Sequence, residues 1–154
     1  MRWISLLGWM VLCFAVGGVA GASTAGDVDG WYRTLVRPSF APPNWVFGPV
    51  WTLLYAAMAV AVWRVGLAVP SPMRNWALAL FLAQLAVNFA WPWIFFRFHA
   101  LGAGLVEIVL MWILIAVTIW LFSRVSPLAA WLMTPYLAWV TFATALNAGF
   151  WRLN

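Results

Sequence analysis

Apolar residues in this chain fall into five long uncharged runs, at about Trp3–Ala22, Asn44–Val65, Trp76–Phe96, Leu101–Phe122 and Pro127–Phe150. A helix needs about 20 apolar residues to cross a hydrocarbon core of about 30 Å, and each run reaches that length. The predicted fold is therefore all-α, a single five-helix transmembrane bundle over residues 1–154. The links after the second run are short, about ten residues around Pro70 and Pro72, about four around His99 and about four around Ser126, which makes successive helices antiparallel. The first run has a competing reading as a secretory signal, because Arg2 precedes it and Ala20-Gly21-Ala22 has the small-residue form of a cleavage site. The length of the run, together with Trp3 and Trp9, favours a retained helix.

Between the first two runs lies a stretch, residues 23–43, that is much longer than an ordinary connection and so is expected to carry function. It holds Asp27, Asp29, Trp31, Tyr32, Arg33, Arg37, Pro38, Pro42 and Pro43. Such a mixture of charges, aromatics and rigid turns suits a lid over the helix ends. It equally suits an interfacial loop whose Trp and Tyr rest at headgroup depth.

Composition agrees with a lipid solvent: 67% of residues are hydrophobic and 7% charged, with a mean hydropathy of +0.98, outside the range of soluble domains. The net charge of +5 comes from eight scattered Arg, a pattern of headgroup anchors that gives no footprint for nucleic acid. With five crossings the Arg residues divide four and four between the two faces, so charge does not set the orientation. The single cysteine, Cys13, rules out an internal disulfide and reads as a buried thiol.

Within the helices, residue faces separate. In the second, Trp51, Tyr55, Met58 and Val62 share a stripe. In the third, at about 100° per residue, Gln84, Asn88 and Trp91 fall within about 60° of one another, while Ala79, Ala83, Ala86 and Ala90 form a different face. The amides should turn toward the bundle interior or a cavity. The alanines permit close approach of another helix or a second protomer. The fifth helix carries Trp131, Pro135, Trp139, Phe142 and Leu146 on one stripe, with Ala143 and Asn147 at its border. These stripes are consistent with plain packing, or with an apolar pocket for a flat hydrophobic ligand.

Trp31-Tyr32-x-x-Leu35, Arg37-Pro38, Pro42-Pro43, Val46-Phe47, Trp51 and Leu54-Tyr55, followed by Gln84-Leu85, Asn88, Trp91, Pro135-Tyr136-Leu137-x-Trp139 and Leu146-Asn147, resemble the ordered signature of the tryptophan-rich sensory protein (TspO) family. Its animal members are the translocator protein or peripheral benzodiazepine receptor. The resemblance covers nearly the whole chain. It implies a five-helix bundle, commonly a homodimer, here through the Ala79/Ala83/Ala86/Ala90 face, with a cavity roofed by the first loop. It also implies ligands such as protoporphyrin IX, benzodiazepine-site compounds and, in some members, sterols, with no obligatory cofactor. Carried over position by position, ligand contacts fall at Tyr32, Pro42, Phe47, Trp51, Tyr55, Asn88, Trp91, Trp139, Ala143 and Leu146, with Asn88 hydrogen-bonding a polar edge. Three positions depart from the pattern: Phe40 stands where many members have Trp, Ala148 stands at the Tyr of the animal sterol-recognition pattern, and Phe142 is bulky where Ala is common, which is expected to narrow the cavity.

Two ionisable residues remain. Glu107, inside the fourth helix, is expected to pair with Arg97 or another nearby Arg, or to be neutral, and a structural role is favoured over proton coupling. His99, in a tight link, reads as incidental rather than as a haem ligand. No catalytic or metal-binding constellation is visible. The expected function, carried by the resemblance, is a membrane sensor of porphyrins in a bacterial inner membrane, a location favoured by the brevity of the chain. Light-dependent porphyrin breakdown, with Trp51 and Trp139 as photochemical candidates, and translocation of porphyrin or sterol-like molecules are the alternatives.

Overall fold

The computed structural model describes all 154 residues. Its five helices are α1 (Arg2–Asp29), α2 (Phe47–Gly66), α3 (Pro72–Pro92), α4 (Leu101–Val125) and α5 (Pro127–Leu153). All five are long and apolar enough to cross a membrane. Of 120 backbone hydrogen bonds, 105 lie within helices, which is the condition for burying a backbone in hydrocarbon.

Helix α3 starts at a cap rather than where hydrophobicity begins. The Ser71 hydroxyl accepts from the Arg74 backbone N–H at 3.1 Å, and Pro72 takes the first helical position, so α3 begins at Pro72 instead of Trp76. Ser126 and Pro127 repeat this device at the start of α5. The largest difference is in α1, which continues through Ala20-Gly21-Ala22 to Asp29. Residues 23–29, expected in the loop, are helical: their small and polar residues lower the hydropathy, but no proline interrupts the backbone pattern. Cys13, Ala20 and Thr24 are buried, so this segment packs as a member of the bundle.

In cross-section the helices form a ring: α1 packs on α2 and α3, α2 on α5, α5 on α4, and α4 on α3. The end remote from the long loop is filled. There Met58, Val62, Phe81, Phe122 and Met133 are fully buried, and Trp3 stacks on Trp63 with ring centroids 5.4 Å apart. Gly17 lets α1 approach α2, since a Cβ there would overlap the Tyr55 ring. Toward the loop end the ring is hollow.

Pro92, which has no N–H to continue the α-helical ladder, is followed by a π-helical turn, Trp93–Arg97. This turn swings Phe95 inward to 2% exposure, beneath the loop. The loop itself consists of a 3-10 turn (Trp31–Thr34), an irregular stretch with a turn at Ser39–Phe40, and a second 3-10 turn (Asn44–Val46) leading into α2.

Candidate ligand-binding site

The hollow end of the ring is a cavity of about 460 Å³, within the range of small-molecule sites. Nine of the ten residues expected at the ligand line it: Tyr32 from the loop, Phe47, Trp51 and Tyr55 from α2, Asn88 and Trp91 from α3, and Trp139, Ala143 and Leu146 from α5. The tenth, Pro42, stands outside the lining. Its carbonyl accepts from Arg37 Nη2 at 2.6 Å, so it shapes the loop and does not touch the cavity. Phe142 is also outside, on a lipid-facing groove between α2 and α5, and it does not narrow the cavity as expected.

The lining extends further than the sequence stripes suggested. From α1 come Gly17, Gly21, Thr24 and Val28, a stripe at helical spacing that marks one face once it is known that the helix continues. Phe95 and Phe96 enter through the π turn, a placement that helical periodicity cannot give. From α4 come Ile108 and Met111, and from the end of α5 Asn147 and Phe150.

A buried hydrogen-bond chain fixes one wall. The Tyr55 hydroxyl donates to Asn88 Oδ1 at 2.8 Å, Asn88 Nδ2 donates to the Tyr136 hydroxyl at 2.6 Å, and that hydroxyl donates to Gln84 Oε1 at 2.8 Å. Gln84 and Tyr136 are 0% exposed and Asn88 is 4% exposed. Asn88 is therefore engaged at both ends of its amide and acts first as a bracket between two phenols. A second bracket joins Trp91 Nε1 to Asn147 Oδ1 at 3.1 Å, with Asn147 Nδ2 donating to the Leu101 carbonyl at 2.9 Å. The Trp139 indole N–H is buried without a partner. Around these polar groups the walls are aromatic: Trp51 lies 5.5 Å from Tyr55 and 6.1 Å from Tyr136, and Phe47 meets Trp139 edge-on at 5.8 Å.

The loop covers one end. Tyr32, 3% exposed, packs among Phe95, Phe96 and Phe150 with centroids 6.2, 5.3 and 5.1 Å away. The Arg37 guanidinium lies 5.6 Å over its ring. Burial raises the Tyr32 phenol above its ordinary range and the Arg37 charge pulls it partly back. Arg37 also bonds Asn44 Oδ1 at 3.2 Å, and Asn154 clasps both backbone groups of Val36 at 2.9 and 3.0 Å. Gly149 admits Pro38 to the surface of α5, since a Cβ there would stand 2.7 Å from Pro38 Cγ. On the side the cavity is open: Gly18 and Gly21 on α1, and Gly48 and Thr52 on α2, are lining residues that are also exposed. The opening therefore faces sideways between α1 and α2, toward lipid.

Glu107 has neither of the expected partners. Both its carboxylate oxygens are buried without a hydrogen bond, and Arg97 pairs instead with Asp27 at 3.3 Å.

Sequence comparison agrees with this architecture along nearly its whole length. The model of the TspO/MBR family matches residues 9–152. The tryptophan-rich protein TspO of Chlorobaculum tepidum is 43% identical over 144 residues, covering 93% of this chain and 91% of that protein. The protein CrtK of Rhodobacter capsulatus is 39% identical over 147 residues, covering 95% and 90%. The human translocator protein is 40% identical over 156 residues, covering 99% and 91%. A match that spans all five membrane-spanning helices and the loop that covers their cavity identifies this integral membrane protein as a member of the TspO/MBR family.

Proposed function

We propose that this chain is a membrane receptor that binds porphyrins of the protoporphyrin IX type, and other flat hydrophobic molecules, in the cavity beneath the loop, and that it regulates tetrapyrrole or stress responses through the occupied state. The observation that carries this reading is the joint placement of Phe47, Trp51, Tyr55, Trp91 and Trp139 around one cavity of about 460 Å³. Aromatic faces offer a planar macrocycle stacking over a large area, and the few fixed polar groups orient its edge. A ligand of this kind partitions into the bilayer, and the opening between α1 and α2 gives it a lateral way in.

The first test is titration of the solubilised protein with protoporphyrin IX in the dark, following tryptophan fluorescence. Saturable quenching at micromolar ligand that weakens strongly in a folded Trp51→Ala/Trp139→Ala variant supports the cavity. Equal, non-saturating quenching in both proteins would mean that the porphyrin merely dissolves in the detergent, and would end the proposal. The second reading, light-driven breakdown of the pigment, is favoured by Trp51 and Trp139 lining the same cavity. It requires a defined product that forms only under illumination and is lost in the same variant.

A second copy of the chain belongs to this reading. Ala79, Ala83 and Ala86 are exposed on α3 and Ala90 is half-buried, and small residues let helix backbones approach closely in lipid.

A further inference from the structure

The lid is tied to the bundle at its first turn by a contact that lies outside the cavity. His99, the chain's one histidine, occupies the link before α4 with φ of 54°, a left-handed conformation that few residues with a side chain adopt. In that conformation the imidazole lies flat on the Trp31 indole, centroids 4.1 Å apart and planes at 11°. Its Nε2 stands 3.9 Å from Asp27 Oδ1, too far for a hydrogen bond. The other Asp27 oxygen is 3.3 Å from Arg97 Nε, and Arg97 Nη2 donates to the Ser23 carbonyl at 2.7 Å. Trp31 in turn meets Phe95, a cavity-lining residue, edge-on at 5.9 Å. The end of α1, the first turn of the lid and the link into α4 thus converge on one carboxylate, one indole and one imidazole.

We propose that protonation of His99 locks the lid: the imidazolium, held between the Asp27 carboxylate and the face of Trp31, fixes the first lid turn over the cavity, and loss of the proton releases it. The proposal rests on the reading of the loop as the cavity's lid. The groups that face the ring are the Asp27 carboxylate and the Trp31 indole, which attract an imidazolium through ion pairing and cation–π interaction, and Arg97, beside Asp27, and the N-terminal end of α4, which repel one. Asp29 points elsewhere, to Arg33 at 3.5 Å on the exposed surface. The Tyr32 phenol, raised by burial, stays neutral throughout. Histidine changes charge between about pH 5 and 8. The attractions that only the imidazolium makes are therefore present while His99 is protonated and are lost when it gives up its proton.

The test needs no ligand. The full chain in phosphatidylcholine nanodiscs is followed by hydrogen exchange of the amides in residues 30–46 at about pH 5.5 and about pH 8, corrected for intrinsic exchange, while NMR of the single imidazole reports its charge directly. The wild type should show about three- to tenfold more lid protection at the acid pH, the scale of one partly exposed ion pair plus one cation–π contact. His99→Asn, which keeps a residue tolerant of the left-handed backbone, should lose the response, and Asp27→Asn should reduce it. Should His99→Asn lose protection throughout the helices, the Asp27→Asn variant decides. Equal wild-type protection at both pH values, or a full response in either folded variant, overturns the latch. Dissociation of protoporphyrin IX measured in parallel separates the two readings. A pH-dependent lid without saturable porphyrin binding removes the porphyrin and leaves the latch, and porphyrin binding beneath a pH-insensitive lid removes the latch alone.

Discussion

Asn88 illustrates how one side chain can matter more to the architecture of a site than to its ligand. Its amide holds Tyr55 and Tyr136 in register at 2.8 and 2.6 Å, so Asn88→Ala leaves two buried phenols short of a partner. The expected loss is about 1–3 kcal/mol, visible as a lower thermal midpoint in detergent, and an unchanged midpoint would mean that the phenols find other partners. Glu107 predicts the opposite sign. Its buried oxygens have no hydrogen bond, and an unsatisfied polar group in such a setting is unfavourable. Glu107→Met, similar in size and apolar, should fold with an equal or higher midpoint, whereas a clear drop would reveal a partner for the carboxylate in the folded protein. The sequence singled out both residues by the same rule, that polar groups inside a membrane are exceptional. It did not reveal that one is fully engaged and the other unpartnered, because that depends on which neighbouring helix faces each.

Between helices, the elements show where a linear pattern stops being sufficient. The apolar runs located all five spans, since the bilayer demands that length, but they placed the end of α1 too early and the start of α3 too late. Hydropathy reports which residues suit hydrocarbon, whereas the start of α3 is set by the Ser71 cap and Pro72, and α1 runs on through small and polar residues. The π turn after Pro92 shifts the helical phase, and with it Phe95 and Phe96, which periodicity left out of the site. At this scale the close approach of the loop to α5 at Gly149 makes a prediction. Gly149→Val, whose side chain would collide with Pro38, should lift the loop and speed release of a bound porphyrin while helix content by circular dichroism is preserved. Unchanged release would show that the loop does not retain the ligand. On α3, Ala83→Leu, placed on an exposed small-residue face, should lower the dimer fraction measured by light scattering in detergent. An unaltered fraction would send the search for a dimer contact to another face.

For the molecule as a whole, the decisive feature is that a ring of five helices packs tightly at one end and stays hollow at the other. The hollow is open between α1 and α2, where a Cβ at Gly18, Gly21 or Gly48 meets no atom within 4 Å. Gly21→Phe combined with Gly48→Phe should therefore obstruct entry from the bilayer without disturbing the fold, slowing porphyrin association about tenfold or more at an unchanged thermal midpoint. Association as fast as in the wild type would mean that the ligand enters past the loop instead.

The sequence by itself determined the solvent, the number of helices and most of the aromatic wall, because spanning length and helical periodicity are local properties that a bilayer enforces on any chain. Together with the ordered motif from Trp31 to Asn147, it also carried the family. Only the tertiary structure decided that Pro42 and Phe142 stand outside the cavity, that α1 supplies one of its walls, that Asn88 is a bracket, and that Asp27 pairs with Arg97 beside His99. Those outcomes depend on how helices far apart in sequence are rotated and spaced against one another. That relation is set by the mutual fit of their surfaces, which no single stretch of the chain encodes.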